Sequence, residues 1–561
     1  MAADQETALG AKPSPASRSA VRVPSDRRAG ASVTTLLVAI LTLLALVLRL
    51  YQLTRPGQLL GVPQYDDGVY LGSAIRLLDG YAPYRDFAFV QPPGIVLLAV
   101  PLALLAKLTG SASAMAVARV LTACVGAATV ALAGLLVRHR GAVAVTLVCG
   151  ILAVHPGSVK AASTLFLEPW LVLFCLLGAL AVFEGDQPTL SRRRLVLGGL
   201  AIGFAGAVKA FALFPALALL VVLAMSDPGP RSSRRGISRW RRSGLYVGGV
   251  IAGFAIPILP FAALAPRRFL YDVIVDQYQR TDLTHVSLTS RLSYLFGLQY
   301  FNLSSAQITA VVTLIVAVVL ACIVAASLFA RRPPSPLDCF ALTAAAAVFA
   351  GLLLPADFYW HYAAAFAPFL ALLIGLSVAR LIGAMVQSPL PRAGRGTVTV
   401  GVVLLTAIAA IAAMTGDDVR QEHLMTAYRV RASVDRVIPS GACVLTDNPS
   451  LTIMANRFVS DVPGCSPLVD SLGTDLSLGA AHNALNGAGR YPAVRKAWLS
   501  AFRQAQYVWL YCYPPTLKWC DLYTNRRIPW TPAIRGYFQT HFHRSPSPKV
   551  FVRDGLAKDA S

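Results

Sequence analysis

Long apolar stretches, separated by short loops that hold many of the arginines, leave this chain few folds to choose from. An apolar run of about 18 residues or more is long enough to cross a bilayer as a helix. The clearest runs are Val33–Leu53, Ala114–Val137, Leu245–Leu264, Ile308–Ala330, Ala363–Leu381 and Val398–Met414. Only 14% of the 561 residues are charged, against about 25% in a typical soluble domain, so much of the surface must face something other than water. The head, residues 1–31, is rich in Ser, Ala and Arg and reads as a disordered cytoplasmic segment. The apolar run after it is too long for a signal-peptide core, and no small-residue cleavage site closes it. It is read as a retained first span.

A net charge of +23 would suit a nucleic-acid partner, but its distribution argues against one. Arg192–Arg194 and then Arg231, Arg234, Arg235, Arg239, Arg241 and Arg242 sit in short stretches between apolar runs. Basic short loops stay cytoplasmic, so the charge reports topology. With Pro228–Ser243 and Glu184–Arg194 inside, the short runs Leu195–Val208 and Phe211–Met225 form a hairpin turning outside at Lys209. Parity then puts Pro266–Ser305 and Pro355–Tyr362 outside, and Arg331–Pro336 and Gln387–Gly396 inside. Backward, Pro156–Glu168 falls outside and Arg138–Arg140 inside. The expectation is a polytopic α-helical membrane protein of about eleven transmembrane helices, N-terminus in and C-terminus out. The membrane module occupies residues 32–415, with an external loop at 54–113. Within that loop Gly94–Leu108 is short, follows Pro92-Pro93 and contains Pro101; it is expected to lie on the outer leaflet without crossing.

The same loop carries the most suggestive chemistry, YDDGVYLGSAIRLLDGYAPYRDFAFVQPPG over Tyr65–Gly94. After Asp66 and Asp67, apolar or aromatic residues recur at Tyr70, Ala74, Leu77, Leu78 and Tyr81. That spacing predicts an amphipathic helix along the membrane surface, stopped at Gly80. An acid at a helix N-terminus is often only a cap interacting with the dipole. Two adjacent acids at a membrane face also suit a displacement on a phosphate-linked sugar. The leaving group is already good, so one carboxylate to take the acceptor proton is enough, with cations to receive the departing phosphate. Asp66 is read as base and Asp67 as an orienting or acceptor-binding partner.

The acidic pair, the downstream QPPG and the span opening at Arg119 (ARVLTA) resemble the GT-C glycosyltransferases, in particular the protein O-mannosyltransferase and aminoarabinose transferase branch. The resemblance covers roughly Val33–Leu381. It implies a GT-C-like fold, a polyprenyl-phosphate sugar donor, work outside the cytoplasm and a catalytic base at Asp66. Family members usually carry Asp-Glu where this chain has Asp-Asp, which leaves the role of Asp67 less defined. A second acid of the family's next external loop matches Glu168 in LFLEPW.

Further substrate-binding candidates are Asp86, Arg85, Lys209, His361 and Arg119, with Lys160 behind them. Lys209 at the outer boundary needs a partner or snorkels to the interface; a lipid phosphate would serve. Arg119 either pairs an acid such as Glu168 or meets substrate. No HExxH, CxxC pair, Walker loop or GxGxxG site appears, so neither metal nor other cofactor is expected. From 416 to 561 the composition turns soluble and predicts a small extracytoplasmic α/β domain. Helical spacing runs over Val419–Ile438, short strands fall at Cys443–Leu445 and Tyr507–Tyr511, and Gly473–Gly489 reads as a loop. Its four cysteines suggest Cys443–Cys465 and Cys512–Cys520 disulfides by proximity.

The first functional reading is a glycosyltransferase acting on an envelope glycan, lipid or protein acceptor. The Ala-, Arg- and Gly-rich composition points to a high-GC bacterium such as an actinomycete, where the resemblance favours decaprenyl-phosphate mannose first and arabinose second. A transporter or lipid flippase is the alternative; it would show internal repeats and midplane polar residues, and neither is visible. In a structural assembly protein the acidic pair would only cap its helix.

Overall fold

The computed structural model describes residues 25–226, 238–281, 285–330, 333–386, 393–423, 434–485, 487–511, 527–547 and 549–556. Thirteen helices of the membrane module are labelled in chain order: α1 (Ser25–Leu53), α2 (Asp66–Leu78), α3 (Gly94–Thr109), α4 (Ser111–Val137), α5 (Ala142–Val154), α6 (Leu167–Val182), α7 (Arg192–Val208), α8 (Leu213–Met225), α9 (Arg239–Leu264), α10 (Ser305–Ala330), α11 (Pro336–Leu353), α12 (Ala363–Val386) and α13 (Ala393–His423). Among the described residues six of them, α1, α4, α9, α10, α11 and α12, are long and apolar enough to cross a membrane. The chain is a multi-pass membrane protein. Its shorter helices are held by unusually close backbone approach. A Cβ on Gly203 of α7 would fall 2.1 Å from the Val250 carbonyl oxygen, and one on Gly253 of α9 would fall 2.2 Å from that of Leu200. Small residues permit this contact where the hydrophobic effect gives little drive for helices to associate. The α7–α9 contact anchors the helix that ends at Lys209.

Polar contacts sort the loops onto two faces. Arg140 after α4 donates to Asp186 (2.6 Å) and to Asp338 at the start of α11 (3.1 Å), while Arg194 donates to Glu184 (2.7 Å). Three of the loops that the basic-loop rule assigns to one side therefore meet. The segment 156–168, Lys209 and Trp360–Tyr362 gather at the other end. Helix α3 has both of its ends there. A Cβ on Gly94 would strike Ala207 and Val208 beside Lys209, whereas Gly110, just past the other end, touches Asn456.

The C-terminal domain is built on a four-stranded sheet of β1 (Val444–Thr446), β2 (Tyr507–Trp509), β3 (Phe542–Arg544) and β4 (Val550–Arg553), in the order β1-β2-β4-β3. β1 and β2 are parallel and the other pairs antiparallel. Helix α14 (Pro449–Met454) follows β1, and α15 (Pro492–Gln504) precedes β2. Val494, Trp498, Ala501 and Phe502 recur at helical spacing on α15 and are buried, packing with Phe538 and Phe551. Cys443 and Cys465 form a disulfide. Cys512 and Cys520 lie outside the described residues, as do Arg231, Arg234 and Arg235.

Helix α13 is described as far as His423, and residues 424–433 of the expected Val419–Ile438 helix lie outside the described residues. Two expectations change. The Gly/Ala-rich stretch is packed rather than loop-like, with Ala480, Ala481 and Ala484 buried. Helix α2 does not lie open on a surface: residues Asp67–Arg76 are all buried, between α3 on one side and α14 on the other. Its polar side is covered by the C-terminal domain, so amphipathic spacing here marks an interface between two parts of the protein. The approach is close: a Cβ on Gly68 would sit 2.3 Å from Ser450 Oγ and 2.4 Å from its backbone nitrogen. Gly68→Ala is expected to push the C-terminal domain off α2 and expose α14 to limited proteolysis; an unchanged cleavage pattern would contradict this docking.

Candidate active site

Asp66 and Asp67 open α2, where the helix dipole favours negative charge. Successive helical residues point about 100° apart, and the two acids diverge accordingly. Asp67 turns into the protein and is fully buried. Its Oδ2 accepts from Arg119 Nη2 (2.6 Å), Arg119 Nε (3.2 Å) and Thr164 Oγ1 (2.6 Å), and its Oδ1 accepts from Ser450 Oγ (2.8 Å). Arg119 also donates to the carbonyls of Gln58, Leu59 and Gly61. A buried pair is tolerable only when its remaining donors and acceptors are satisfied, and these contacts do that.

Asp66 turns the other way and lines a cavity of about 230 Å³. It has no hydrogen-bond partner among the described residues. Protein on most sides disfavours its charged form, and burial raises its pKa above the ordinary 3.8; His361 and Lys209 oppose that rise, while Asp470 adds to it. The rest of the wall comes from distant stretches. Val69, Tyr70 and Phe89–Gln91 flank Asp66. Phe166, Lys209, Arg280 and Tyr359–Tyr362 come from the membrane module, and Asp470, Leu472, Gly473, Leu476 and Arg527 from the C-terminal domain.

Local backbone breaks explain how cations reach this wall. Lys209 is extended (φ −156°, ψ 137°) between α7 and a single 3-10 turn, Ala210–Ala212. Its Nζ donates to Glu168 Oε1 at 2.5 Å and lies 4.3 Å from the centre of the Tyr362 ring. Glu168, fully buried in the first turn of α6, also bonds His361 Nδ1 at 2.9 Å. His361 stacks on Phe166 with ring centres 4.5 Å apart. Its Nε2 has no protein partner among the described residues. An ammonium has three donors, and the Glu168 bond uses one. Arg280 donates to Asp276 at 2.7 Å, and that carboxylate holds its pKa above the usual arginine value against the cost of burial. The cavity thus joins a carboxylate unpartnered among the described residues to several cations and an aromatic wall. It can take a proton at one point and hold an anionic, hydroxyl-rich ligand around it.

Of the residues singled out in the sequence, Asp66, Lys209 and His361 line the cavity, and Glu168 stands directly behind the last two. The acid that pairs Arg119 is Asp67, not Glu168, because Lys209 and His361 occupy Glu168. Neither Asp67 nor Arg119 lines the cavity; they pair with each other behind it. Arg85 and Asp86 also lie outside it. They pair with each other at 2.8 Å, and Asp86 accepts from the Ala82 N–H, closing a tight turn. Lys160 stacks over Trp360 at 4.6 Å. Sequence reasoning missed Arg280, Asp470 and Arg527. The i, i+4 spacing from Asp276 was a faint signal for Arg280; nothing local marks the other two. Among the described residues no group of three or more His, Cys, Asp or Glu side chains is placed to hold a metal ion.

Residues 89–355 match the sequence model of Glycosyltransferase family 87 (GT87). The matched stretch is just under half of the chain; it includes Glu168 and Lys209 and begins after Asp66. No curated protein matches the chain. Among solved structures, ArnT from Cupriavidus metallidurans in the apo state is similar with a TM-score of 0.53 at 15% identity, over 86% of this chain and 95% of that one. ArnT from the same organism bound to undecaprenyl phosphate gives 0.52 at 15% identity, over 75% and 85%. The archaeal oligosaccharyltransferase AglB from Archaeoglobus fulgidus gives 0.47 at 13% identity, over 94% and 74%. The ArnT likeness shows the fold: a polytopic α-helical GT-C-type membrane fold.

Asp67→Asn keeps the side-chain shape but leaves Arg119 charged and unpaired in the interior. It is expected to cost about 3–5 kcal/mol of stability, read as a lowered thermal-unfolding temperature of the purified protein in detergent. A mutant as stable as the parent would contradict the structural role.

Proposed function

We propose that this protein is a membrane glycosyltransferase that moves a sugar from a polyprenyl-phosphate carrier to a hydroxyl acceptor by inverting displacement. Asp66 serves as base, on the extracytoplasmic side of the membrane. The observation that carries the reading is the Asp66 carboxylate, without a hydrogen-bond partner among the described residues, on a cavity walled by Lys209, His361, Arg280, Arg527 and aromatic rings. The GT87 match over 89–355 and the likeness to ArnT, a structure of which is bound to undecaprenyl phosphate, support it. The side is argued from charge: the cavity lies opposite the face where Arg140 and Arg194 gather, and basic short loops stay cytoplasmic.

The acceptor hydroxyl gives its proton to Asp66 as its oxygen bonds to the anomeric carbon. The bond from that carbon to the phosphate oxygen breaks on the opposite face, and polyprenyl phosphate leaves with the electron pair. The departing charge falls where Lys209 still has donors to give, beside His361 Nε2, which donates when the ring carries both protons; fixed donors at such a point lower the barrier. Glu168 orients both groups. The aromatic wall suits stacking on a sugar face, and a desolvated Asp66 is a stronger base than one in water. Mannose is the first choice of sugar and arabinose the second, with an envelope glycan, lipid or protein as acceptor.

Asp66→Asn is expected to lower transfer from a polyprenyl-phosphate sugar by about 10²–10⁴-fold while the protein keeps its unfolding temperature. Undiminished transfer would remove Asp66 from the mechanism. A base works only when ionised, so the rate should rise with pH through the raised Asp66 pKa. The midpoint of the acidic limb of kcat/KM is therefore expected above 3.8; a limb at or below that value would count against Asp66 as the titrating base.

A further inference from the structure

Displacement asks the Asp66 carboxylate to face one point in the cavity, yet no protein group bonds it among the described residues. Its neighbour is gripped instead. The Tyr65 hydroxyl donates to Asp470 Oδ1 at 2.6 Å, lies 3.0 Å from Ser471 Oγ and accepts from the Leu472 N–H at 3.3 Å. The Arg527 guanidinium sits 4.2 Å from the centre of the Tyr65 ring. All four partners belong to the C-terminal domain. Tyr65 occupies the N-cap position of α2 but makes no side-chain cap bond, so its side chain does nothing for the helix end. Behind it Ser450 Oγ lies 3.0 Å and 3.3 Å from the Gln64 and Tyr65 carbonyl oxygens. The backbone that carries Asp66 is therefore held from the C-terminal domain on both sides.

We propose that Tyr65 is a positioning residue through which Asp470, Ser471 and Arg527 of the C-terminal domain set the direction of the Asp66 carboxylate. The proposal rests on Asp66 being the base. It makes the C-terminal domain part of the catalytic apparatus: the site is complete only when residues 470–472 and Arg527 close over Tyr65. The groups whose charge reaches Asp66 are His361, Asp470, Lys209 and Glu168, and of these Asp470 alone belongs to the C-terminal domain.

The test uses the purified full-length chain in detergent and two readouts. The first is transfer from decaprenyl-phosphate mannose and decaprenyl-phosphate arabinose to an envelope extract. Tyr65→Phe removes only the hydroxyl, and misdirecting a reacting group by about 1 Å can cost ~10²-fold. A fall in kcat of about 10-fold or more is expected, with KM for the donor within about twofold and the unfolding temperature kept. Asp470→Asn is the second variant, because asparagine caps the Gly473 N–H as well as aspartate does while losing the charged bond to Tyr65. It should lower kcat in the same direction, and the two effects should not add. The second readout needs no substrate: labelling of Asp66 by dicyclohexylcarbodiimide, which attacks a protonated carboxyl, mapped by mass spectrometry across pH. Asp470→Asn removes a charge that itself raises the Asp66 pKa, so this readout is taken on Tyr65→Phe, which leaves that charge in place: a released carboxylate becomes better hydrated, and the labelling midpoint should fall toward the ordinary aspartate value. An unchanged midpoint in well-folded Tyr65→Phe would overturn the proposal. Retained transfer by Asp66→Asn would instead strike the function proposed above, and the labelling result would still decide the role of Tyr65.

Discussion

The carboxylate of Asp67 is the point on which the architecture turns. It joins the start of α2, the interior of α4 through Arg119, the segment before α6 through Thr164, and the C-terminal domain through Ser450. A charge buried this completely is tolerable only while each of those partners stays in place. The four parts of the protein are therefore fixed relative to one another by a single group. Arg119 extends the constraint by holding the carbonyls of Gln58, Leu59 and Gly61, so the chain entering α2 cannot drift.

That constraint is what frees Asp66. Because Asp67 satisfies the interior, the preceding residue is turned about 100° away into the cavity, with no hydrogen-bond partner among the described residues. Two chemically identical neighbours thus face opposite ways, one bonded into the fold and one on the cavity wall. A similar division occurs around Glu168. It is buried and partnered, and it presents Lys209 and His361 to the cavity rather than entering it.

The mixture of what was legible and what was not follows from interaction range. The apolar runs, the start of α2 at Asp66, its end before Gly80 and the Cys443–Cys465 bridge each depend on residues near one another in the chain, and pattern alone exposes them. The gathering of Arg140, Glu184 and Arg194 with the neighbouring loops agrees with the basic-loop rule for the same reason. The burial of α2 was not legible: its covering surface comes from residues about 450–470, and an amphipathic period looks the same whether its second face meets lipid headgroups or another domain. Arg119 was visible as a charge needing an acid, but choosing between Asp67 and Glu168 required knowing where Lys209 and His361 stand.

By itself, then, the sequence determined that this chain inhabits a membrane, that the loops holding Arg140, Glu184 and Arg194 belong together, and that an acidic pair opens a helix. Hydropathy and charge act on each segment separately, so those properties survive without any knowledge of packing. Only the tertiary structure decided which aspartate faces the cavity, that Asp470, Arg280 and Arg527 join it, and that the C-terminal domain forms part of its wall. Those outcomes depend on contacts between residues far apart in sequence, as Tyr65 and Arg527 are, and a buried ion pair or a cavity wall exists only once such segments meet.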